Sequence, residues 1–129
     1  MRSKNKTAAE KQWHDSIAVF SQNSDFCLRH FGGYCEDPYA VHIHHVEGAQ
    51  AKRKVNYVTE KIGEWFVLPV PIELHDISSN NNLNVTTNKK RFENVFGQQK
   101  TLWLDMVNQM RIMGYEIPFG QDTIDGVLS

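Results

Sequence analysis

Apolar positions along this chain change their period several times, and each change marks an element. Over 9–20, Trp13, Ile17 and Phe20 recur at helical spacing. Thr7 and Glu10, three apart, form a capping box for that helix, and the polar run 21–24 ends it. Residues 1–8 are polar and are expected to be a frayed, disordered tail, leaving 9–129 as one domain. Positions 27–34 have no clear period, with a bend at Gly32-Gly33 and another at Asp37-Pro38. Over 39–46 the order Y-A-V-H-I-H-H-V alternates Val41, Ile43 and His45 against His42 and His44, which predicts a strand. Glu47-Gly48 turns the chain. The basic, irregular stretch 51–61 reads as a mobile loop. Positions 63–70 (G-E-W-F-V-L-P-V) are aromatic and β-branched and predict a second strand, which Pro69 and Pro71 bring to an end. Pro71 is tolerated in the first turn of a helix, so 72–75 is expected to begin one. The asparagine-rich stretch 78–88 is a loop. Helices follow over 89–97 and 100–113, with Gly114 as a C-cap. The tail from 116 is turn-rich and carries no further signal.

Composition bounds this picture. The chain has 129 residues, 40% of them hydrophobic and 22% charged, which suits one globular domain with a modest core. The net charge is -1, so a histone-like coat on DNA is excluded and any nucleic-acid contact must use a local patch. Cys27 and Cys35 can form one disulfide or remain as reduced thiols, and they are read as structural or incidental. No apolar run spans a membrane and no signal segment is visible. The expected setting is the cytoplasm.

Of six histidines, His42, His44 and His45 crowd into one strand, and His75 opens the helix after the second strand. A histidine pair, a turn, a loop, a strand and a helix bearing one more histidine is the layout of a ββα-metal nuclease finger. Phosphodiester hydrolysis needs an activated water on one side of phosphorus and charge neutralisation of the leaving 3′ oxygen on the other. An imidazole can take the water's proton near neutral pH, and a divalent cation with open positions can serve the leaving oxygen. Adjacent histidines at a strand end can divide these tasks. Taken singly, each histidine is more often a hydrogen-bonded structural residue. His42 is assigned to structure or DNA contact, and His14 and His30, which have no identifiable partner, to the surface.

Four segments together resemble the HNH nucleases of phages of the Ref type, the RecA-dependent recombination-enhancement nucleases. They are T-A-A-E-K-Q-W-H-D-S-I (7–17), P-Y-A-V-H-I-H-H-V-E-G (38–48), V-L-P-V-P-I-E-L-H (67–75) and N-K-K-R-F-E-N-V-F-G (88–97), and the likeness runs over about 7–104. The resemblance implies an α+β fold: a ββα-metal (HNH) finger with a short antiparallel hairpin, flanked by N- and C-terminal helices. It implies a metal-dependent DNA endonuclease of little sequence specificity, with His44 and His75 as metal ligands, His45 as general base and one divalent ion. Mg2+ is the expected ion, with Mn2+, Zn2+ or Ni2+ as alternatives. Phe92 and Gly97 match the family's following helix and its end. Partners would be DNA and a RecA-type filament. The chain departs from the family where relatives carry C-x-x-C, here Ser24 and Cys27, and where they carry a cysteine after L-P-L, here Pro71; a structural zinc is therefore not expected. The Asn or Asp that orients the base has no match, and Glu64 is its substitute. Asn84 stands where relatives have a third ligand. Lys52, Arg53, Lys54 and Lys61 on one side and Lys89, Lys90 and Arg91 on the other would contact phosphates, or else are solvated faces. A DNA-binding recombination-accessory protein with reduced or no catalysis is the alternative on the same fold, and a structural zinc-binding interaction module is a third reading.

Overall fold

The first helix starts where its cap predicts. In the computed structural model, which describes residues 6–37 and 39–129, the Thr7 hydroxyl accepts from the Glu10 amide at 3.1 Å and the Glu10 carboxylate from the Thr7 amide at 2.8 Å. Helix α1 runs over Ala8–Asn23 and buries Trp13, His14, Ile17, Phe20 and Ser21. The first five positions of the expected tail, and Pro38 of the expected bend, lie outside the described residues. A short α2 (Phe26–Phe31) and a 3-10 turn (Gly32–Tyr34) follow. Cys27 and Cys35, both buried, are joined as a disulfide that staples these two elements together, so neither is a free thiol.

The centre is a pair of antiparallel strands, β1 (Val41–His45) and β4 (Val67–Pro71), continued by one turn of helix, α3 (Ile72–His75). Pro69 sits inside β4, and Pro71 ends the strand as expected, standing as the N-cap of α3. The Val46 amide bonds to the Phe66 carbonyl and the Ile72 amide to the Ala40 carbonyl. With the register Ile43↔Pro69 and Val41↔Pro71, this parity puts both prolines in pairs that exchange no hydrogen bonds, so the missing N–H groups are not missed. Every residue of β4 is buried, with α1, α2 and α5 (Gln99–Ile112) packed on it.

Three expectations need correction. The basic stretch 51–61 is not a loop but a second hairpin, β2 (Lys52–Val55) and β3 (Val58–Lys61). Its two turn residues, Asn56 and Tyr57, have φ of 51° and 68°, the paired left-handed conformation of a tight hairpin turn. The tail after 116 contains a helix, α6 (Gln121–Leu128), which packs on that hairpin. Conversely, Gly63 to Phe66, expected to open the second strand, form a turn before β4. A Cβ at Gly63 would overlap backbone atoms of Gly48 and Ala49, so only glycine lets the chain pass there. The remaining helices are α4 (Lys89–Phe96) and α5, the latter ended by Gly114 at φ 88°. The Tyr115 amide returns to the Met110 carbonyl and the Gly114 amide to that of Arg111, a Schellman cap. The architecture is α+β, and among the described residues no helix is long and apolar enough to cross a membrane.

Candidate metal and catalytic site

Alternate residues of a strand face opposite ways, and β1 uses this to divide its histidines. His42 and His44 share one side and meet His75, the last residue of α3. The His44 and His75 ring centroids are 5.1 Å apart, and those of His42 and His75 4.9 Å. His42 Nδ1 lies 2.8 Å from His75 Nδ1, so one nitrogen carries the proton and the other the lone pair. His44 is 8% exposed. Burial, then the neighbouring His75, push its pKa down to about 4, only partly opposed by the Gln99 amide. Burial and His42 also lower the pKa of His75. At neutral pH the His44 and His75 rings are therefore uncharged, the form in which imidazole binds a metal.

His45 turns the other way. Its Nε2 is 2.6 Å from Glu64 Oε1, and the Glu64 side chain is 11% exposed. The turn containing Gly63 brings Glu64 there, its chain path fixed by the Ile62 and Gly63 amides, which both donate to the Ala51 carbonyl. His14, expected at the surface, is buried behind this pair. Its ring meets that of His45 edge-on at 5.4 Å, and its Nε2 is 2.7 Å from the Glu64 carbonyl oxygen. His30, also expected to lack a partner, holds Asp105 Oδ2 at 2.7 Å.

His14, His45 and Glu64 place three ligand atoms within 4.8 Å of one another, close enough to gather a cation. Proton placement argues against their doing so in the resting fold. A carbonyl oxygen only accepts, so His14 Nε2 carries the hydrogen. Lys6 Nζ lies 3.1 Å from His14 Nδ1, which must accept. Both nitrogens are thus engaged, and burial keeps the ring uncharged by lowering its pKa. The trio reads better as a network that holds His45.

An opening of about 380 Å³ is lined by His44, His45, His75, Thr86, Lys89 and Gln99, among others. Asn84, expected to be a ligand, is directed elsewhere. It is 1% exposed, its Oδ1 accepts from the Thr86 and Thr87 amides at 2.8 and 3.0 Å, and its Nδ2 donates to the Asp76 carbonyl. Its oxygen shapes the turn before α4. Of the basic residues, Lys89 lines the opening, while Lys90 and Arg91, which follow it in α4, are exposed. Lys52 and Lys54 are exposed on β2, and Lys61 stands directly opposite Lys52. Arg53 is paired with Glu47.

Sequence reasoning missed His14 and Gln99. Neither carries a local signal, since His14 meets Glu64 across 50 positions and Gln99 is an ordinary helix-start residue. No protein-family model, curated protein or solved structure matches this chain.

Proposed function

We propose that this chain is a metal-dependent DNA endonuclease of the ββα-metal (HNH) type. The observation that carries the reading is the division of labour at β1: two uncharged imidazoles, His44 and His75, beside a third, His45, held by a carboxylate, all on one opening. His44 and His75 would hold one divalent cation, which supplies charge neutralisation for the phosphate and the leaving 3′ oxygen. Two nitrogen donors suit Mn2+, Ni2+ or Zn2+ better than Mg2+, which prefers oxygen ligands.

Glu64 accepts a hydrogen bond from His45 Nε2–H, which leaves Nδ1 with the lone pair. Nδ1 then takes a proton from water as its oxygen attacks phosphorus and the bond to the 3′ oxygen breaks. Lys89 contributes a positive charge at the same opening. Lys89, Lys90 and Arg91 all occupy the first turn of α4, the end of a helix where cations are disfavoured. Lys52 opposite Lys61 is likewise an unfavourable pair. A polyanion relieves both repulsions.

One feature favours the accessory reading instead. With the Asn84 oxygen engaged, the third ligand that the family resemblance implies is missing, and a DNA-binding recombination-accessory protein without catalysis would need none. A role in phage recombination beside a RecA-type filament rests on the family resemblance alone, as does work in a host cytoplasm, where the thiol pool keeps most disulfides open.

The test is cleavage of plasmid and single-stranded DNA with Mn2+ or Mg2+, by wild type and by His45→Ala. Cutting by wild type alone supports the enzyme. Salt-sensitive binding with no cutting by either supports the accessory protein. Equal cutting by both removes His45 as base.

A further inference from the structure

Gln99 opens α5 and lines the same opening as His44. It is 2% exposed, and its Oε1 meets no donor among the described residues. The rest of the residue is anchored. Its backbone amide and its Nε2 lie 3.3 and 3.4 Å from Glu93 Oε2. Exchanging the amide's oxygen and nitrogen would set the oxygen against that carboxylate, so the orientation is decided by charge. A buried acceptor left without a donor is destabilising, and a fold keeps one where another state satisfies it.

The neighbour that can satisfy it is His44. The Gln99 amide lies beside that ring and favours its protonated form, although its oxygen makes no hydrogen bond of regular geometry with it. An imidazole that gives one nitrogen to a cation carries its hydrogen on the other, and a buried N–H of that kind needs an acceptor. His75 has His42, and His45 has Glu64.

We propose that Gln99 Oε1 accepts the ring N–H of His44 when His44 holds its cation, which makes Gln99 a positioning residue of the metal site. The inference rests on the metal site proposed above and not on DNA cleavage. It satisfies two groups at once, the orphan oxygen and the N–H that coordination creates.

The experiment is calorimetric titration of Zn2+ into the full chain at neutral pH, comparing wild type, Gln99→Leu, Glu93→Gln with and without Gln99→Glu, and His44→Ala, with thermal unfolding of each metal-free protein alongside. Gln99→Leu is expected to weaken Zn2+ binding about 10–100-fold, while the metal-free Tm reads separately the loss of the Nε2 contact to Glu93. Gln99→Glu in the Glu93→Gln background should restore affinity to within a few-fold of that background, since a carboxylate also accepts and the opposing Glu93 charge is gone. Absorption of the Co2+-substituted protein should keep its shape in Gln99→Leu, because the ligand set is unchanged. Nitrogen-15 spectra of the wild-type His44 ring, which need no variant, should give a single tautomer with Zn2+ bound.

Wild-type affinity in Gln99→Leu would overturn the proposal, as would the Gln99→Glu, Glu93→Gln pair binding as weakly as Gln99→Leu. So would mixed tautomers at His44, a changed Co2+ spectrum, or Zn2+ binding that His44→Ala leaves intact. A chain that binds Zn2+ in a Gln99-dependent way but leaves DNA uncut would end the nuclease reading and leave this one standing.

Discussion

His45 Nε2 and Glu64 Oε1 lie 2.6 Å apart although 19 positions separate them in the chain. A carboxylate has no proton to give at neutral pH, so the hydrogen belongs to the imidazole and its tautomer is set. His45→Ala should therefore lower DNA cleavage about 10²–10⁴-fold, the range of general-base contributions, with the fold unchanged by circular dichroism. Glu64→Gln keeps an acceptor oxygen but loses the charge that stabilises the imidazolium, and its loss should be smaller than that of Glu64→Ala. Cleavage rates for the three variants check the order, and Glu64→Ala cutting like wild type would break the link.

Metal binding should separate the two histidine clusters. His75→Ala should abolish calorimetric Mn2+ or Zn2+ binding, and His14→Ala should leave the affinity within a few-fold, because His14 already has both ring nitrogens engaged. The opposite pattern would place the cation among His14, His45 and Glu64. Chelation with EDTA should stop cleavage in the wild type.

Acid should destabilise the metal-free protein in a defined window. The folded pKa of His44 is about 4 against an ordinary value of 6.5. Between these, the unfolded chain binds a proton that the folded chain does not, so stability rises with pH there. His44's contribution is complete above pH 6.5 and is lost as pH falls toward 4, on the order of 3 kcal/mol. His14 shifts the same way by burial. Urea unfolding in steps from pH 7 to 4 measures this, and His44→Leu should flatten the curve.

Gly63→Ala should cost at least about 2 kcal/mol, as expected for a forced backbone displacement, because the new Cβ meets backbone of Gly48 and Ala49 rather than a movable side chain. The same shift carries Glu64 from His45, so cleavage should fall further than the Tm change alone explains.

Lys89→Ala should weaken DNA binding and reduce the salt slope by about 1, the contribution of one phosphate contact. Arg53→Ala should change it less, because Glu47 already holds that side chain.

Much of this arrangement was legible where its causes are local. The capping box at Thr7, the period of β1 and the Gly114 cap each lie within a few residues of the element they define. The histidine division was legible too, because strand alternation alone separates His44 from His45. The second hairpin was hidden because Lys52, Lys54 and Lys61 carry no apolar alternation; its inward face is Arg53 and Val55 against α6, a tertiary contact. Asn84 has the chemistry of a ligand but a stronger local use, capping a turn with its own oxygen. His14 and Gln99 acquire meaning only through the residues that packing sets beside them.

The carbonyl of Trp65 accepts both the Trp13 indole N–H at 3.1 Å and that of Trp103 at 2.9 Å. The ring of Phe119 lies 5.1, 5.4 and 5.7 Å from Trp13, Trp65 and Trp103. All three tryptophans of the chain thus surround one phenyl ring, and Trp65 follows Glu64 directly in sequence. Intrinsic emission from this protein is therefore a single-locus optical gauge. Its wavelength reports whether the peptide behind the carboxylate is seated, with no label attached.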